Sequence, residues 1–158
     1  MKTMRKSAAI FLVLVMVLSL TACGASESTV VLRGDTTEEM GGIPTTDTWT
    51  LTAKGDIVQT LTEVLELDLS EYDDETRESF ISLVGGAMLD AAQGIEGVVY
   101  TDRTEGTTYI VEITVDCTGD AIKEAVDAGL FEVDGDSDII SLKETRSSLE
   151  SQGYKVVE

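Results

Sequence analysis

The stretch TWTLTAKGDIVQTLTEVL, residues 48–65, decides the fold class. Trp49, Leu51 and Ala53 alternate with Thr48, Thr50 and Thr52. Side chains of a strand point to opposite faces in turn, so this pattern reads as a half-buried strand. Lys54-Gly55-Asp56 supplies turn chemistry. Residues 57–65 then run back as a partner strand, and Leu65, Leu67 and Leu69 can extend its apolar face. A second hairpin follows the same logic, with strands 97–104 and 107–117 around Glu105-Gly106. In its second strand Tyr109, Val111, Ile113, Val115 and Cys117 share one face, and Ile110, Glu112, Thr114 and Asp116 the other. Two alternating hairpins predict an antiparallel sheet.

Outward from these hairpins the remaining elements fall into place. Residues 29–32 are a β-branched run and read as a first strand. Residues 34–47 are polar, hold Gly41-Gly42-Ile43-Pro44, and read as a loop. Asp73 or Asp74 can cap a helix whose inner face is Phe80, Val84, Ala87, Met88 and Ala91. Gly85-Gly86 interrupts it at about 1 kcal/mol per Gly relative to Ala. Close packing against the sheet, or a kink, is the structural reason to expect there. Gly94 followed by Ile95 reads as the helix stop. A second helix is expected over 120–128, with Ile122, Ala125 and Val126 inward and Gly129 at its end. A third starts at Ser141, which forms a capping box with Glu144. It stops at Gly153, with Tyr154 folding back, and 155–157 can add an edge strand. The expectation is one α+β domain: an antiparallel sheet of four or five strands built from two hairpins, with helices packed on one face.

The amino terminus carries a different signal. Lys2, Arg5 and Lys6 precede an apolar run from Ala8 to Leu20. That run is too short for a stable span of about 20 residues and reads as the core of a secretory signal. Leu20-Thr21-Ala22-Cys23 resembles the lipobox of bacterial lipoproteins. The resemblance implies cleavage after residue 22, thioether lipidation of Cys23, and acylation of the new amino terminus. The predicted organisation is a signal peptide at 1–22, a short lipidated tether at 23–28 and a single domain at 29–158. At about 3.5 Å per residue the tether reaches less than about 20 Å, so the domain sits close to the bilayer. The expected location is the cell membrane, on its extracytoplasmic face, with Cys23 as the membrane partner.

Composition excludes several classes of function. The chain has 11 Lys plus Arg, 30 Asp plus Glu and no His. Removal of the leader takes three cations, leaving 8 against 30 acidic groups, or a net charge of −22 on 136 residues. Such a body does not bind nucleic acid by neutralising phosphate. Without His, the commonest general base and metal ligand is missing. Cys117 alone remains in the mature interior, which excludes an intrachain disulfide once Cys23 is lipidated.

The order of elements has landmarks at Lys54-Gly55-Asp56, Gln93-Gly94-Ile95-Glu96-Gly97-Val98, Thr114-Val115-Asp116, and Ser141-Leu142-Lys143 leading to Gln152-Gly153-Tyr154. With them the chain resembles the YehR-like family of small bacterial lipoproteins, from about residue 48 to the end. The resemblance implies the α+β fold. It brings no catalytic residue, because these landmarks are turns and helix stops. The chain is far more acidic than the Lys-rich members of that family.

Four groups of residues invite chemistry. Asp134-Gly135-Asp136-Ser137-Asp138 places alternate carboxylates as a Ca²⁺ loop does. Read as an EF-hand it has Ile139 where Gly is needed and Thr145 where Glu is needed, so a solvated polar loop is the plainer reading. Glu71, Asp73, Asp74, Glu75 and Glu78 suit the first turn of a helix. Cys117 precedes a helix start, but Asp116 and Asp120 flank it, so a small buried hydrophobe is expected. Trp49, Tyr100 and Tyr109 can line a pocket, yet their alternation already assigns them to the core. The expectation is therefore no catalytic set, no cofactor and no metal ligand. The predicted function is a membrane-anchored, non-enzymatic binding or interaction module. One alternative is a Ca²⁺-binding surface protein using residues 134–138. Another is an enzyme built on carboxylates. A two-lobed solute receptor needs more chain than this.

Overall fold

A computed structural model of the protein describes residues 25–36, 42–131 and 139–157. Among them the strands are β1 (Glu27–Thr36), β2 (Thr45–Lys54), β3 (Ile57–Asp68), β4 (Val98–Glu105), β5 (Thr108–Asp116) and β6 (Lys155–Val156). The helices are α1 (Asp74–Ala92), α2 (Ala121–Asp127) and α3 (Leu142–Ser151). The strands form one open sheet in the order β4-β5-β3-β2-β1-β6, with every pairing antiparallel.

Register follows from the alternation. Leu51 lies opposite Leu61, and Leu61 opposite Val115. All three are buried, at 0%, 1% and 0% exposure. Thr50 lies opposite Thr62, and Thr62 opposite Thr114, on the other face. Thr62 and Thr114 share a 2.9 Å hydroxyl hydrogen bond there. Each helix, or the segment after it, touches the apolar face. Gly85 of α1 abuts Tyr109 and Tyr100. Phe131, after α2, meets Trp49 edge-on at 5.9 Å. Tyr154, after α3, reaches Asp47. Among the described residues the helices lie on the side opposite the threonine-lined face. The slip between Thr52 and Ala53 is a bulge that leaves Gln59 unmatched and brings Val58 opposite Ala53, inside the core.

The sheet has six strands where the sequence suggests four or five. β6 supplies the sixth by pairing Leu32 with Val156 and Arg33 with Lys155. β1 is also longer than the expected 29–32. It begins at Glu27, opposite Lys54, and continues through Gly34 and Asp35 to Thr36. Gly34 and Asp35 look like the start of a loop, but the long β2 pairs them with Asp47 and Thr46. The ring of Tyr154 lies over Gly34, where a Cβ would come within 2.9 Å of it. Glycine there admits the aromatic that closes the edge.

Asp73 is the N-cap of α1, accepting from the Thr76 N–H at 2.8 Å. Phe80, Val84, Met88 and Ala91 pack on the core as the periodicity requires. Ala87 is exposed instead. Leu83 and Leu89 also face outward, at 73% and 50% exposure. Among the described residues no helix is long and apolar enough to cross a membrane.

Candidate functional site

Three polar clusters tie the helical layer to the sheet. The first lies under α1. Tyr109 is wholly buried, and its Oη donates to Asp102 Oδ2 at 2.7 Å. Tyr100 Oη sits 3.2 Å from Tyr109 Oη. Val111 pairs with Asp102 and Ile113 with Tyr100, so register alone brings these side chains to one face. Burial, then the hydrogen bonds to Tyr100 and Asp102, raise the Tyr109 phenol above its ordinary value. Burial likewise raises that of Tyr100. Both phenols are therefore neutral donors rather than bases.

The second lies at the other side of the sheet. Asp47 is 4% exposed. Its Oδ2 accepts from Trp49 Nε1 at 2.8 Å and from Tyr154 Oη at 2.6 Å. These donors hold a buried carboxylate in place, as burial of a polar group requires.

The third is at the β2–β3 turn. The Asp56 carboxylate accepts from Ser141 Oγ and from the Lys143 N–H, each at 2.9 Å. Its carbonyl accepts the Leu142 N–H at 2.8 Å. Ser141 Oγ also accepts the Glu144 N–H at 3.2 Å, as the capping motif predicts. Asp56 thus serves orphan N–H groups of α3 from across the molecule. The sequence marks it only as a turn residue, because its partners lie 85 and 87 positions away.

The backbone N–H of Lys143, then the Ser141 hydroxyl, hold the Asp56 carboxyl below its ordinary 3.8. A folded-state value below the unfolded one contributes stability that is complete above 3.8. That contribution is lost as pH falls through the lower folded value. Urea midpoints between about pH 6 and pH 2 should therefore fall more steeply in the wild type than in Asp56→Asn, with the divergence closing in acid. Parallel acid limbs for the two proteins would remove this role.

The residues singled out from sequence separate clearly. Cys117 is buried, and burial, with Asp116 beside it, pushes its thiol up to about 11. It is protonated at neutral pH. Trp49 and Tyr100 are half-buried and Tyr109 fully buried, all in core packing. Of the acidic run, Asp73 caps α1 and Asp74 pairs with Arg77. Glu71, Glu75 and Glu78 are exposed. Cys23 and residues 134–138 lie outside the described residues. Among the described residues, no group of three or more His, Cys, Asp or Glu is placed to hold a metal. Open hollows lie at two places among the described residues. One of about 580 Å³ opens beside Asp35, Thr46, Glu66 and Asp68. Another of about 300 Å³ opens beside Glu96, Asp116, Asp120 and Glu124. The Asp68 carboxylate is already engaged by the Ser70 N–H, and that of Asp116 by Thr118.

The architecture matches the NMR structure of the E. coli YehR protein with a TM-score of 0.65. The aligned region covers 85% of this chain and 93% of that one, at 17% identity. The fold is YehR-like. The NMR structure of a Streptococcus pneumoniae protein also matches, at a TM-score of 0.57 and 12% identity, covering 99% of this chain and 98% of that one. At such identities the likeness is one of fold. No family model and no curated protein matches the chain. On this YehR-like scaffold the three polar ties join segments far apart in sequence.

Proposed function

We propose that this protein is a membrane-anchored lipoprotein of the YehR-like type, held on the extracytoplasmic face through Cys23. It acts there as a non-enzymatic binding or interaction module. One observation carries the reading: a charged n-region, an apolar run and Leu20-Thr21-Ala22-Cys23 occur in register. Two or more acyl chains then anchor durably, where a single chain is marginal. The non-enzymatic part is supported by the sites themselves. The Cys117 thiol is buried and protonated, and the carboxylates of Asp47, Asp56 and Asp102 are engaged in holding the fold.

The test is an intact mass of the protein from a membrane fraction. The expected mass is that of a chain starting at Cys23 with a diacylglycerol attached. Cys23→Ala should lose that modification and retain the leader. An unmodified, uncleaved wild-type chain would refute the anchor. Turnover of a substrate by the purified protein, abolished by a single carboxylate substitution, would refute the non-enzymatic reading.

A further inference from the structure

The described chain begins where a lipidated residue would have to lie close by. Ala25 is two residues from Cys23, a reach of about 7 Å. Ala25 and Ser26 are not a free tether. The Gly55 N–H donates to the Ser26 carbonyl at 3.0 Å, and a Cβ on Gly55 would stand 3.1 Å from that of Ala25. Glu27 is already paired with Lys54 in the sheet. The amino terminus is thereby fixed to the β2–β3 turn, and the turn is fixed by Asp56 to the start of α3.

This end presents exposed apolar side chains beside lysines. Ile57 is 47% exposed and Ile139 57% exposed. Ile57 bridges Ser141, and the Val58 N–H bonds the Ile140 carbonyl at 2.9 Å, so the two isoleucine segments are neighbours. Lys54 and Lys143 border them, both exposed. Arg33, Arg77, Arg103, Lys123 and Arg146 make ion pairs with carboxylates. Among the described residues Lys54, Lys143 and Lys155 make none. Two of those three lysines therefore flank the exposed isoleucines where the chain emerges. Among the described residues the acidic groups here are Glu27, Asp56 and Glu144; the exposed Asp56 carboxylate is hydrogen-bonded to Ser141 and the Lys143 N–H, and Asp138 precedes Ile139 in the chain.

We infer that the end formed by the β2–β3 turn and the start of α3 rests on the phospholipid surface that holds Cys23. Ile57 and Ile139 enter the interfacial layer, and Lys54 and Lys143 meet lipid phosphates. The inference rests on the lipid anchor proposed above and adds an orientation to it. A lysine amine meets phosphate as a point charge, and apolar side chains beside it add buried area. A body of net charge −22 is repelled by anionic headgroups within a Debye length. The short tether forces this end into proximity, and Lys54 and Lys143 offset part of that repulsion. The sheet axis then stands away from the bilayer. Lys155 pairs with Arg33, six residues along β1 from Glu27, so it lies about 20 Å farther out.

Lysine acetylation of the full lipidated protein, read by mass spectrometry, tests this without any substitution. The protein is compared in vesicles of phosphatidylethanolamine with phosphatidylglycerol and in nonionic detergent, and flotation of the vesicles is scored separately. Lys54 and Lys143 should slow by about fivefold on vesicles, while Lys155 changes by less than about twofold. A floating protein whose three lysines slow alike, or not at all, overturns the orientation and leaves the anchor standing. A protein without lipid that does not float overturns the anchor, and the orientation with it.

Discussion

Leu61→Ala should destabilise the fold by about 2–5 kcal/mol. Leu61 is 1% exposed on β3, with β2 on one side and β5 on the other. Its direct neighbours Leu51 and Val115 are fully buried. Truncation removes the transfer energy of the lost carbons and leaves a cavity that a sheet paired on both sides cannot collapse. In a chain of this size the loss corresponds to roughly 10 °C in Tm. The adjacent residue is the control. Thr62→Ala acts on the threonine-lined face and removes one hydroxyl hydrogen bond to Thr114, at a cost of about 0.5–1.5 kcal/mol. Urea denaturation of both variants measures the contrast. A slip of one residue in β3 would exchange the two faces, so a larger loss for Thr62→Ala would sink the register described here.

That register was legible because it is written locally. Trp49, Leu51 and Ala53 against Thr48, Thr50 and Thr52 encode a face without reference to anything distant. The same holds for Asp73 as a cap and for Phe80, Val84 and Met88 as a helical face. Features that close over long separations were not legible. Gly34 reads as the start of a loop until Asp47 is seen paired with it and Tyr154 lying over it. Asp56 reads as a turn residue until Ser141, 85 positions away, is seen bound to it. Asp47 reads as the last polar residue of a loop, yet it is buried by Trp49 and by Tyr154, 107 positions away. In each case the local pattern is compatible with solvent, and a distant segment decides otherwise. The orientation at the bilayer has the same character. The tether looks free in sequence, and only the hydrogen bond from Gly55 to Ser26 fixes which end of the domain it leaves.

The glycine pair of α1 gives the other large effect, because two identical neighbours should respond with opposite signs. Gly85 is buried, and a Cβ there would stand 2.5 Å from Tyr109 Oη and 3.1 Å from Asp102 Oδ2. Tyr109 is fully buried and hydrogen-bonded to Asp102, so it has nowhere to retreat. Gly85→Ala should therefore cost about 1–3 kcal/mol by overpacking, despite the better helix propensity of Ala. Gly86 is exposed, and a Cβ there would meet nothing within 4 Å. Gly86→Ala should instead stabilise by about 0.5–1 kcal/mol, because the unfolded chain loses freedom that the helix never used. Thermal melts of the two variants separate close packing from a kink as the reason for the pair, since a kink would make both substitutions costly. A double-mutant cycle locates the clash. Tyr109→Phe removes the phenolic oxygen, so Gly85→Ala should cost less in that background than in the wild type. An unchanged cost would place the conflict elsewhere in α1 and detach the Tyr109–Asp102 pair from the close approach of helix and sheet.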